Sequence, residues 1–227
     1  FVNKMDRENA DFLRTLAALQ AKFGSRCVPL QLPIGSQHDF VGLVDLLTQK
    51  SYTASEAKAG EVPSSLQDQV KAFREKLVEA AVEVDDNLLE KYLAGTALSL
   101  EELTGALRRG VVTGKIVPVL VGSALKNIGI GFLLDAVNSY LPSPKERDVS
   151  ILSGSGKPET IPPNPEGPLA ALVFKTTADP YVGKLTYFRV YSGVFTSNSQ
   201  VWNATRGETE RIGQLFTVRG KTQEHVS

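Results

Sequence analysis

The sequence predicts an α/β unit followed by an antiparallel, all-β unit, and three observations carry that expectation. Residues 116–121, Ile116-Val117-Pro118-Val119-Leu120-Val121, form an unbroken apolar run, as a strand buried on both faces of a parallel sheet requires. Between residues 8 and 140, apolar residues recur at helical spacing in several separate stretches. After residue 168 the texture changes to short β-forming runs divided by Gly, Pro and Asp. A chain of 227 residues bounds the count at one or two domains with real cores.

Taken in order, residues 8–23 read as an amphipathic helix, with Phe12, Leu16, Leu19 and Phe23 on one stripe and Gly24 as its stop. Residues 26–32 read as a strand, Pro29 favouring an edge or its start. Pro33-Ile34-Gly35-Ser36 turns the chain. The apolar stretch 40–47 suits either a strand or a short helix, and Ser51-Tyr52-Thr53 extends a strand. Pro63-Ser64 opens a helix to about Val84, with Leu66, Val70, Phe73, Leu77 and Ala81 on one face. Asp86 caps a short helix over 87–94 that Gly95 ends. Ser99 and Glu102 have capping-box spacing, starting a helix that closes at Arg108-Arg109-Gly110. The strand at 116–121 is followed by a helix over 132–140, carrying Leu133, Leu134, Ala136 and Val137, which Pro142 and Pro144 terminate. Residues 145–168 are rich in Pro, Gly, Ser and Glu and read as a linker. The runs 169–175, 185–191, 199–203 and 210–218 then suit a small antiparallel barrel, with nothing to pair beyond the last run.

Composition excludes several classes. Lys+Arg and Asp+Glu are 25 each, so no global basic charge points to nucleic acid. The distribution is uneven: residues 56–104 hold eleven acids against five bases, and residues 168–227 hold seven bases against four acids. The acid excess suits a solvated helical face or a docking surface. The single Cys27 rules out an internal disulfide and fits a reducing compartment, with a small buried side chain as its role. No apolar run reaches the ~18 residues of a membrane span and no signal peptide is visible, so a cytoplasmic protein is expected. Phe1-Val2 reads as the end of a strand, and the chain is therefore expected to begin inside a domain.

The chemistry concentrates in two loops. Phe1-Val2-Asn3-Lys4-Met5-Asp6 is a strand end opening into Asn-Lys-x-Asp, the guanine-reading signature of GTP-binding proteins, and Gly122-Ser123-Ala124-Leu125-Lys126 suits its companion loop. Guanine presents N1–H and N2–H₂ as adjacent donors, and one ionised carboxylate, Asp6, can accept both. Adenine has an acceptor at N1 and no amino group at C2, so it would leave Asp6 unpaired; such sites reject the wrong ligand by up to roughly 10⁴–10⁵. The backbone N–H of Ala124 can answer guanine O6, Lys4 can lay its stem along the base, and Asn3 can tie the loops together. Alone, Asn-Lys-x-Asp is a weak signal that a surface turn also explains; the second loop sharpens it.

A strand–helix–strand unit takes roughly 30 residues. Asn3 and Ser123 are 120 positions apart, so the excess, which has its own strands and helices, reads as an inserted subdomain over about 26–113. With this insertion, the chain resembles bacterial elongation factor G over essentially its whole length. The stretches that carry the resemblance are Phe1 to Arg7, Leu32-Pro33-Ile34-Gly35-Ser36, Gly122 to Asn127, Tyr140-Leu141-Pro142-Ser143-Pro144, and Asp179-Pro180-Tyr181-Val182-Gly183-Lys184-Leu185. The ending Arg219-Gly220-Lys221-Thr222-Gln223-Glu224 is more similar to a divergent paralogue group of that factor.

The resemblance implies an α/β fold, the C-terminal part of a P-loop-type GTPase domain over 1–145 with its inserted α+β subdomain. A linker over 146–167 and an incomplete antiparallel β-barrel over 168–227 follow. It implies that Asn3, Lys4, Asp6, Ser123, Ala124 and Leu125 bind the guanine of GTP or GDP. The partners it implies are the ribosome's small-subunit RNA, through the barrel, and the stalk protein, through the insertion. The implied role is movement of transfer and messenger RNA through the ribosome; a ribosome-protection, release or recycling GTPase, or a non-hydrolysing adaptor, shares these motifs. Lys175, Lys184, Arg189, Arg206 and Arg211 are candidate phosphate contacts or solvated strand charges.

The phosphate-cradling loop, the Mg²⁺ ligands and the residue that orients water precede Asn-Lys-x-Asp in the family order. No Gly-x-x-x-x-Gly-Lys-Ser/Thr occurs in these 227 residues, so alone they are expected to hydrolyse no GTP. Two imitations are structural: Gly110 to Ile116 has the wrong glycine gap, and Asp39-Phe40-Val41-Gly42 lies after the base motif. His38 and His225 have no carboxylate or Cys cluster around them, so no catalytic base and no metal site are assigned.

Overall fold

A computed structural model describes residues 1–53, 59–146, 149–152, 156–179, 183–220 and 222–226. The chain divides into two compact units, Phe1–Leu141 and Pro142–Ser227. Parts of the Asp179 to Leu185 stretch, with Lys221 and the acidic Glu56, lie outside the described residues.

In the first unit, helix α1 (Phe12–Phe23) starts four residues later than its periodicity suggests. The reason is local: the Asp11 carboxylate accepts from the Arg14 N–H at 3.0 Å and satisfies one of the free donors of the first turn. Strand β1 (Cys27–Pro29) and strand β2 (Gln31–Ile34) replace the single expected strand at 26–32. They separate at Leu30. Strand β1 lies parallel to β5 (Val117–Val119), while β2 pairs antiparallel with β3 (Gly42–Asp45), which pairs with β4 (Lys50–Thr53). The ambiguous run 40–47 is thus a strand, and Pro33-Ile34, read as a turn, belongs to β2. Val2 adds a parallel bridge to Val121 on the other side of the β5 segment. Parallel order therefore includes a strand from the stretch expected to open the insertion.

Three helices follow. Helix α2 (Gln67–Val82) buries Val70, Leu77 and Ala81, three of the five residues on its expected stripe. Helix α3 (Asp86–Leu93) is capped by Asp85 and not by Asp86: the Asp85 carboxylate accepts from the N–H groups of Asn87 and Leu88. Helix α4 (Leu100–Val112) begins with the expected capping box. The Glu102 N–H donates to Ser99 Oγ at 3.1 Å, and the Ser99 N–H donates back to Glu102 Oε2 at 2.9 Å. It does not stop at Gly110. That glycine is buried in the last turn because a Cβ there would stand 2.5 Å from Ile116 Cδ1 and 2.8 Å from its Cγ1. Helix α5 (Ile130–Tyr140) follows β5 and rests Phe132 edge-on against Tyr52, with ring centres 4.7 Å apart. Cys27 is buried at the start of β1. The core joins Met5, Phe12 and Leu16 to Val28, Phe40, Leu43, Leu77, Leu103 and Val121.

The second unit consists of antiparallel pairs. Strands β6 (Val149–Leu152) and β7 (Pro158–Ile161) form a hairpin inside the stretch read as a linker. Strands β8 (Ala170–Asp179) and β9 (Gly183–Ser192) pair along their length, with irregular register at Ala170/Ala171 and Val173/Lys175. Strand β10 (Gln200–Asn203) pairs with β11 (Glu208–Arg211), and β12 (Leu215–Arg219) with β13 (Thr222–Val226). The run 210–218 is therefore two strands, and its second half has a partner after all. Among the described residues these pairs close no barrel. No described helix is long and apolar enough to cross a membrane.

Candidate functional site

The two loops singled out from the sequence meet at the end of the parallel strands. The Val2 N–H donates to Leu120 O at 2.8 Å and the Gly122 N–H donates to Val2 O at 3.0 Å, so both chains leave the sheet side by side. The Met5 N–H then donates to Gly122 O at 3.2 Å. Met5, 1% exposed, roots the first loop in the core, while Asn3 and Lys4 before it are exposed and Asp6 after it is half-buried. Lys4 takes a left-handed backbone (φ 66°), which folds the loop back so that its two polar ends reach the second loop. Gly122 permits the close approach: a Cβ there would lie 2.3 Å from Ile128 O and 2.8 Å from the Phe1 ring.

Two side-chain bonds join the loops. Ser123 Oγ, wholly buried, donates to Asp6 Oδ1 at 2.5 Å. The Ala124 N–H donates to Asn3 Oδ1 at 2.9 Å, and the same oxygen accepts from the Lys4 N–H at 2.8 Å. The Ser123 hydroxyl also accepts from the Lys126 N–H at 3.1 Å, so one side chain fixes both the carboxylate and its own loop. A short antiparallel bridge between Ser123 and Ile128 closes that loop.

The Ser123 hydrogen bond, aided by Arg7 and Lys126 nearby, holds the Asp6 carboxyl below its usual range despite some desolvation. An ionised carboxylate has two oxygens and about four acceptor positions. With Ser123 on Oδ1, it keeps the capacity to accept two adjacent N–H donors. That donor pattern fits the edge of guanine. Asn3, Lys4, Asp6, Ser123 and Ala124 thus stand together; Leu125, 77% exposed, projects from the second loop without a described polar contact. The Ala124 N–H, assigned from sequence to a base oxygen, donates to Asn3 Oδ1 in this structure. Sequence reasoning did not assign the Ser123–Asp6 bond or the anchoring by Met5; the second has a visible signal, an apolar residue set between polar ones. Among the described residues no three His, Cys, Asp or Glu side chains gather to hold a metal.

Of the candidate phosphate contacts, Arg206 is engaged by Glu210 at 3.1 Å and Glu208 at 3.6 Å, and Lys175 lies over the Tyr187 ring. Lys184, Arg189 and Arg211 are exposed.

A parallel-strand edge delivering two coupled loops, one with an ionised carboxylate, is the architecture of a nucleotide-binding α/β domain. The comparisons agree: residues 1–143 match the elongation factor Tu GTP binding domain, and residues 168–227 match elongation factor G domain 2. The crystal structure of a protein from Thermus thermophilus superposes with a TM-score of 0.76 at 32% identity, covering 99% of this chain and 31% of that one. This chain thus spans about a third of that protein's length. The chain belongs to the translational GTPases, and within them to the elongation factor G type.

Proposed function

We propose that this chain supplies the base-reading half of a GTP site in a ribosome-dependent GTPase that couples GTP hydrolysis to movement of transfer and messenger RNA. The observation that carries the reading is the pair of bonds joining Asp6 to Ser123 and Asn3 to Ala124, which hold one ionised carboxylate beside one closed loop. Asp6 accepts N1–H and N2–H₂ of guanine, Lys4 covers the base plane, and Asn3 with the 123–125 loop shapes the pocket. Mg²⁺ and the hydrolytic groups belong to segments not among these residues. Small-subunit RNA meeting the second unit, and the stalk protein meeting the acidic helices, complete the proposed partners, in the cytoplasm.

Competition of GDP and ADP for the full-length protein tests the base reading, which fails if ADP displaces GDP at comparable concentrations. A ribosome assay that scores movement of messenger RNA separately from subunit splitting distinguishes translocation from recycling or protection. Residues 1–227 alone are expected to bind GDP only weakly and to hydrolyse no GTP, since the phosphates carry much of the affinity. Micromolar binding by calorimetry would refute that expectation.

A further inference from the structure

We infer that Gln31, on β2, is a positioning residue for guanine-nucleotide retention, acting through the backbone of Val121; this rests on the guanine reading above. Strand β5 offers its even-numbered neighbours to Val2: Leu120 O accepts from the Val2 N–H and the Gly122 N–H donates to Val2 O. Odd-numbered backbone groups face β1, where the Val117 N–H donates to Arg26 O at 2.7 Å and Val119 O accepts from the Leu30 N–H at 2.9 Å. The next acceptor that ladder would present to the Val121 N–H is Leu30 O. That carbonyl is already taken by the Leu46 N–H at 2.9 Å, because the chain has turned away to pair with β3.

The gap is filled by a side chain. Gln31 Oε1 accepts from the Val121 N–H at 3.2 Å, with Gln31 2% exposed and Val121 fully buried. A buried N–H without a partner is costly, and Gln31 prevents that one residue before Gly122-Ser123. Two more contacts from the same segment converge on the loops. The Gln37 N–H donates to Met5 O at 2.9 Å, and Lys126 Nζ donates to Phe40 O at 3.4 Å. The stretch 31–40 therefore holds both base-reading loops from behind, and Gln31 is its only described side chain that substitutes for sheet backbone at the strand end.

The test is GDP dissociation from the full-length protein, followed by chase of a fluorescent GDP analogue. Gln31→Met keeps the volume and removes the acceptor; we expect dissociation to accelerate about five- to tenfold, the scale of one buried hydrogen bond. Gln31→Glu keeps an oxygen at the same place and should restore near-native release. Arg74→Met removes a different clamp, the bonds from Arg74 to Leu46 O and Leu47 O, and should leave release unchanged. If Gln31→Met does not fold, Gln31→Asn, which withdraws the oxygen by one methylene, should show the same acceleration. Release within twofold of native in a folded Gln31→Met or Gln31→Asn, or equal acceleration in Arg74→Met, overturns the inference. Failure of the guanine reading appears separately, as unselective binding of GDP and ADP by the native protein.

Discussion

The hydroxyl of Ser123 donates to the Asp6 carboxylate at 2.5 Å, although 117 positions separate them in sequence. This bond is the first cause of the lowered Asp6 pKa, so it extends the acceptor's ionised range to lower pH as well as fixing its place. Ser123→Ala should weaken GDP binding about tenfold, the loss expected for one charge-assisted hydrogen bond. The pH dependence should move too. With its pKa depressed, Asp6 stays ionised below the ordinary aspartate range and loses GDP only at still lower pH. In Ser123→Ala the fall should begin at higher pH, and identical pH profiles in fluorescence titration would exclude this role.

Asp6→Asn should exchange the base preference. Xanthine carries a carbonyl where guanine has its 2-amino group, and a carboxamide can donate to that oxygen while accepting N1–H. The ratio of GDP to xanthosine diphosphate affinity should swing by about a hundredfold or more, within the range available to buried polar recognition. Competition titration measures it.

The acidic helices contain a pH-sensitive cap. Glu102 is lowered to about 2, first by the hydrogen bond from Lys91 and then by the Ser99 backbone. A carboxyl depressed in the folded state contributes stability above its ordinary value near 4.5, lost as pH falls toward about 2. Glu102→Gln should therefore melt below the native chain at neutral pH, and the gap should close across that interval. Its exposure to solvent keeps the effect small. A gap constant with pH, by thermal denaturation, would contradict it.

Two glycines of α4 should respond in opposite directions. A Cβ at Gly105 meets only Arg109 Nη1, at 3.5 Å, so Gly105→Ala should stabilise by about 0.5–1 kcal/mol. Gly110→Val drives into Ile116 and should cost about 1–3 kcal/mol of overpacking. Denaturant midpoints of the two variants check both signs.

Much of this was legible in the sequence where one residue type answers one local need. The Ser99–Glu102 box, the stripe of α2 and the Asn-Lys-x-Asp loop are such cases. Gly110 was misread because a glycine that ends a helix and one that admits a neighbour look alike without the neighbour, here Ile116. Residues 26–32 were read as one strand because periodicity does not report which partner each half takes, and Leu30 divides them by giving its carbonyl to Leu46. The hairpin of β6 and β7 was hidden by the Pro, Gly, Ser and Glu around it, since β6, with three apolar residues of four, is too short to show a period. Gln31 offered no signal at all: its partner is a backbone N–H ninety positions away.

Pairing of Cys27–Pro29 with Val117–Val119 also limits how the protein can be trimmed. An excision that takes residues 26–113 as a detachable module would strip β5 of its neighbour and leave Val119 facing water. One that retains the chain through Leu30 keeps that strand's edge covered, so the seam for any miniaturised version lies beyond β1, not before it.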